Sequence, residues 1–128
     1  QKITGTITLS PHVHLFIPAD SSIPVGETRA IKMYCNYTWT AIDETGSVAE
    51  GTVSGTLTVT DGDPIQNNKI LEFTDITGTG KGISSVFMCR IYRDPTDPGD
   101  TFEQSVWLKS ADVHIEKDTL GSELETTK

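Results

Sequence analysis

Three histidines are the residues of this sequence best suited to hold a metal ion. His12 and His14 stand two apart, the spacing that puts both side chains on one face of a strand, and His114 could complete a three-nitrogen set of the kind zinc accepts. No Asp or Glu completes a recognisable ligand motif with them. They read as exposed strand histidines on the outer face of an edge sheet, and no metal is expected. Asp94, Asp97 and Asp100 recur every third residue in one loop and could gather oxygens around Ca²⁺, but the spacing is not that of the calcium-loop motif. Turn aspartates bonding their own backbone account for them, and equally for Asp61 and Asp63. No G-x-S-x-G elbow accompanies the histidines, and Gly78, Gly80 and Gly82 lack the lysine-serine pair of a phosphate loop. Asn36, Tyr37 and Thr38 form a glycosylation sequon, which matters only on a secretory route. With no nucleophile, base and orienting group to assemble, the chain is expected to be neither an enzyme nor a cofactor carrier.

Two cysteines could do redox chemistry. Cys35 and Cys89 both fall on the inward faces of expected strands, where a secreted chain would bridge them and a chain assembled inside a cell would keep them as small buried hydrophobes. The disulfide is left open.

The elements that must position these residues are strands. Ile3, Ile7 and Leu9 alternate with threonines, and Val13, Leu15 and Ile17 alternate beyond Pro11, giving two short strands. From Thr28 to Ala41 the odd positions Ile31, Met33, Cys35, Tyr37, Trp39 and Ala41 make one nearly continuous apolar face, the mark of a central strand. Val53, Leu57 and Val59 alternate with Ser and Thr between Thr52 and Thr60, Leu71 and Phe73 mark a shorter strand, and Thr77 to Gly82 reads as a Gly-rich link. The stretch from Gly82 to Gly121 has the densest alternation. Ile83 to Tyr92 forms one arm and Val106 to Glu116 the other, with a bulge near Ser110 and Ala111. Between the arms, DPTDPGD supplies prolines that cannot join a ladder, so a long antiparallel hairpin with a protruding tip is expected.

No amphipathic run at helical spacing exceeds a turn or two, and no internal repeat appears. Seven or eight regularly spaced strands predict an all-β antiparallel two-sheet sandwich. A jelly roll is favoured over an immunoglobulin-like fold, because Trp39 lies only four residues after Cys35 and Phe87 replaces the Tyr expected two before Cys89. The 128 residues suit one domain, 1–118, followed by a polar acidic tail, 119–128. The net charge of −8 argues against nucleic acid and anionic membranes as partners, and no run of 18 apolar residues would span a bilayer.

The run RIYRDPTDPGDTF followed by DVHIEKDTLGSELETTK resembles the C-terminal part of small virion proteins of tailed bacteriophages. Those carry an RDPTDxxDTY-like loop ahead of a DxHYxxDTLGS-like strand and turn. Here the matching residues are Arg93 to Phe102 and Asp112 to Ser122, roughly the last third of the chain, with Phe102 in place of Tyr and Ile115 in place of an aromatic. The resemblance implies a jelly-roll capsid decoration or cement protein, a structural homodimer or homotrimer that binds major capsid protein on the outside of a virion assembled in the host cytoplasm. The contact residues expected on that reading are Arg93, Asp94, Asp97, Asp100, Phe102 and Trp107 in the hairpin and Ile3 and Ile7 in the N-terminal segment. Two rivals stand beside it. One is a secreted, extracellular adhesin or pilus subunit that polymerises by donating Lys2 to Ser10 as a strand and carries the Cys35 to Cys89 bridge. The other is a carbohydrate-binding module that stacks sugars on exposed aromatics.

Overall fold

Successive side chains of a strand point to opposite faces, so an alternating sequence buries one face of a sheet and hydrates the other. The computed structural model describes residues 7–18, 23–41, 50–62, 68–79, 81 and 85–117, and the fold is all-β: two antiparallel sheets packed as a sandwich. Among the described residues the strands are β1 (Ile7–Phe16), β2 (Thr28–Thr40), β3 (Glu50–Thr60), β4 (Asn68–Glu72), β5 (Ile76–Gly78), β6 (Val86–Arg93) and β7 (Trp107–Lys117). No helix there is long and apolar enough to cross a membrane. Ile3 and the 119–128 tail lie outside the described residues.

One sheet is built on β1. β7 runs along its whole length on one side, while β5 and then β4 share the other, β5 opposite Ile7–Leu9 and β4 opposite His12–Phe16. The second sheet has the order β3-β2-β6. The two short strands expected around Pro11 are therefore one continuous strand. A strand residue aims its N–H and C=O toward the same neighbour, and Pro11 aims its carbonyl at the amide of Phe73, 3.0 Å away, in the gap between β5 and β4. The missing donor of proline falls where no ladder bond is broken.

The core forms between the odd residues of β1 and β2. Val13, Leu15, Ile31, Cys35 and Leu71 are fully enclosed, joined by Ile17, Met33, Val59, Phe73 and Phe102, and Ile7, Leu9, Trp39 and Ile76 extend the cluster at one end. Each fully buried Leu or Ile of this set stabilises the fold by about 1.5–3 kcal/mol relative to exposure. The sandwich is closed along one side, where β3 meets β4: Thr74 N–H donates to the Ser54 carbonyl at 3.2 Å.

The expected long hairpin does not form. Its first arm, β6, pairs with β2 from Val86 to Arg93, and its second arm, β7, pairs with β1, so the DPTDPGD loop crosses from one sheet to the other. Alternation specifies which face of a strand is buried and leaves its neighbour undetermined. The loop decides it, because the amides of Thr101 and Phe102 both donate to the Ala30 carbonyl and carry the chain over the end of β2. The bulge in β7 falls at Lys109, between Leu108 opposite Leu15 and Ser110 opposite His14, and β5, Ile76–Gly78, takes in Thr77 and Gly78 of the expected Gly-rich link.

Candidate functional site

The crossing loop is built around Arg93. Its Nε and Nη2 donate to the two carboxylate oxygens of Asp100, each at 2.7 Å, and its remaining donors reach the carbonyls of Gln104, at 2.7 Å, and Phe102. Asp100 also accepts the Lys32 amide at 3.0 Å. Burial alone would raise the Asp100 carboxyl, but these donors outweigh it and hold the group below the usual carboxylate range. Asp97 accepts the Tyr34 hydroxyl and the Gly99 amide and lies 3.4 Å from Lys32 Nζ; the Tyr34 bond leads in lowering its pKa. Asp94 caps its own turn through the Thr96 amide and hydroxyl. The structure thus places Arg93, Asp97 and Asp100 in an internal scaffold. Phe102, expected as a contact anchor, is a core residue because its amide is tied to Ala30, and Ile7 is likewise buried in the core.

Across the sandwich from the closed β3–β4 side lie β6 and β7, each an edge strand with a single neighbour among the described strands. Cross-strand partners share a face, so Leu108, Ala111, Val113 and Ile115, opposite Leu15, Val13, Pro11 and Leu9, face inward. Yet Leu108, Val113 and Ile115 are 37–63% exposed, and among the described residues no strand of the second sheet lies beyond β6 to cover them. On the outer face Trp107 is also exposed and stacks on Phe16 at 6.2 Å between ring centroids. Along the edge of the other sheet Val86 and Met88 are exposed as well. Of the sequence-expected contact residues that are described, Trp107 is the one left exposed as a large apolar surface; Leu108, Val113 and Ile115 are not among those expected. Their signal was present in the sequence as plain alternation, indistinguishable from that of a buried strand.

The outer face of the β1 sheet gathers the histidines. His12 and His14 sit on β1 with Asp112 directly across from His12 on β7. His12 Nε2 lies 3.8 Å and His14 Nε2 3.3 Å from Asp112 Oδ2, and the His114 ring packs edge-on against His12 with centroids 4.6 Å apart. His14 is partly exposed and His114 exposed, but His12 is buried, contrary to the expectation for all three. The ground for setting the group aside was the lack of an acid at ligand spacing; Asp112, a hundred residues from His12, supplies one through strand pairing.

Cys35 and Cys89 are both free. They sit diagonally on β2 and β6, where Cys35 faces Ile91 and Cys89 faces Tyr37. Cys35 is fully buried, and burial, with the Cys89 thiol beside it, pushes its thiol up to about 12. Cys89 is exposed and lines an open cavity of about 520 Å³ with Tyr37, Gly51 and Met88. Of the segment expected as a donor strand, Ile7 to Ser10 is part of the chain's own β1, and Lys2 to Thr6 lies outside the described residues.

Compared with family models, with curated proteins and with solved structures, the chain matches none.

Proposed function

We propose that this protein is a non-enzymatic structural component of a tailed-phage virion, a jelly-roll decoration or cement protein that binds the outer surface of the capsid and holds neighbouring major capsid subunits together. The observation that carries the reading is β7: an edge strand with one neighbour among the described strands and apolar side chains exposed on both faces. Such an edge offers unpaired backbone groups and apolar area at once, the combination used when a partner's strand adds to a sheet. A stable contact of standard size buries about 800 Å² on each partner, and an apolar strip the length of β7 with the neighbouring β6 edge supplies its centre.

Other features agree with this role. The Arg93–Asp100 scaffold makes the crossing loop stiff, so the edge is presented in a fixed orientation and little ordering entropy is lost on binding. The charge of −8 complements basic patches on a shell and does not compete for packaged DNA. Free thiols suit a chain folded in a reducing cytoplasm. A ligand that binds only the closed lattice stabilises it by mass action. Calorimetry of shells assembled from the cognate major capsid protein tests this: the melting temperature rises with added protein and reaches a plateau at a fixed stoichiometry. An unchanged melting temperature at excess protein contradicts the reading.

A further inference from the structure

We propose that His12, His14 and Asp112 bind a divalent first-row transition-metal ion on the outer face of the β1 sheet, clipping β7 to β1. The donor atoms of the three residues all lie within 4.8 Å of one another. A tetrahedral site with bonds near 2.0–2.1 Å places its ligand atoms about 3.3 Å apart. The 3.3 Å from His14 Nε2 to Asp112 Oδ2 matches that edge, and the 3.8 Å from His12 Nε2 is longer, within reach of a small side-chain rotation. They also exceed the about 2.7–2.9 Å of a direct charge-assisted hydrogen bond, so the three groups surround a common point instead of closing on each other.

The supporting groups are those a metal ligand needs. The His14 Nδ1 meets the Asn68 side-chain amide at 3.1 Å, which leaves Nε2 directed at Asp112. Ser110 Oγ donates to Asp112 Oδ2 at 3.1 Å and orients the carboxylate. The His12 side chain is 10% exposed, and its Nε2 lies 3.8 Å from Asp112 Oδ2, beyond direct hydrogen-bond reach. An ion at the centre of the group gives this buried imidazole a direct partner. Glu72, Asp75 and Glu116 border the adjoining cavity of about 290 Å³, adding a negative field that favours a cation.

Two imidazoles and one carboxylate select a transition metal such as Zn²⁺, Co²⁺ or Ni²⁺ over Mg²⁺ and Ca²⁺, which prefer all-oxygen sites. His114 packs on His12, but its nitrogens are not in the convergent set, so three protein ligands leave a position open to water or to a partner's side chain.

The test uses the full chain without an affinity tag. Cobalt is titrated and followed by its visible absorption, then displaced with zinc, and zinc binding is measured by calorimetry. One ion binds per chain. Asp112→Asn and His14→Gln each weaken it at least about tenfold, and Asn68→Ala weakens it about 10- to 100-fold through the orientation of His14. Both ligand positions are partly open on the outer face, and circular dichroism confirms folding; if one variant fails to fold, the other decides. Zinc also raises the melting temperature of the wild type and not of Asp112→Asn. Affinity weaker than millimolar, or affinity unchanged in both ligand variants, overturns the site. A loss in His114→Gln equal to that in His14→Gln overturns the three-ligand assignment.

Discussion

Arg93 and Asp100, seven residues apart, form a two-pronged ion pair in which the carboxylate is 1% exposed and two 2.7 Å bonds fix the guanidinium. The pair ties the end of β6 to the loop that crosses between the sheets. Replacing Arg93 by Ala strands a buried carboxylate and the carbonyls of Phe102 and Gln104, at a cost of about 3 kcal/mol. Arg93→Lys recovers only part, since an ammonium cannot bridge both oxygens. Urea unfolding of the two variants against wild type measures both effects.

The same loop makes stability depend on acid. Asp97 and Asp100 both have carboxyls held below their ordinary value, Asp97 chiefly by the Tyr34 hydroxyl and Asp100 by Arg93 and neighbouring amides acting against burial. A group whose folded pKa is lowered contributes stability above its unfolded value, near pH 4, and loses it as the pH falls through the folded value. The urea midpoint is therefore flat from pH 7 to about 5 and declines below about 4 as these carboxylates are protonated. In Asp100→Asn the midpoint at neutral pH is lower and the acid decline is shallower.

Thiol reactivity separates the two cysteines. Cys35 is buried with its thiol pushed up to about 12, whereas Cys89 stands exposed on β6. The thiolate is the reactive form, so a thiol reagent at pH 8 titrates one cysteine in the native protein and two in denaturant. Cys89→Ser abolishes the native reaction. Two fast native thiols would contradict the packing of β2 against β6.

Gly55 is where β3 and β4 close the sandwich. A Cβ there would overlap the Glu72 carbonyl and the Leu71 side chain, and a backbone oxygen cannot swing aside. Gly55→Ala destabilises by about 1–3 kcal/mol, while Thr56→Ala next to it, on an exposed position, stays within about 0.5 kcal/mol. Thermal unfolding of the pair reads the difference.

Fold class was legible because β2 carries its buried face openly: Ile31, Met33, Cys35 and Trp39 at every second position admit no helix. Partnership was not legible. β6 and β7 alternate as well as any hairpin, and only the docking of Thr101 and Phe102 on Ala30 sends them to different sheets. The same limit hid both sites. Asp112 meets His12 through register, which no local pattern encodes, and Ile115 is exposed because of what is missing above it in the second sheet, not because of its own neighbours in sequence. Phe102, an expected aromatic anchor beside the proline-aspartate loop, is buried because that loop folds inward onto Ala30.

The proposed role rests on β7 as the contact edge, and co-sedimentation tests it most directly. Wild type and the double variant Val113→Lys, Ile115→Lys are spun with assembled shells and with free capsid subunits. Val113 is 37% and Ile115 63% exposed, circular dichroism checks that the variant folds, and two charges on the edge strand oppose strand pairing. Wild type pellets with shells at fixed stoichiometry and the variant stays in the supernatant, with affinity reduced at least about a hundredfold, about 2.7 kcal/mol. Equal pelleting of the two proteins would place the contact elsewhere, and no pelleting of wild type would contradict the virion role itself.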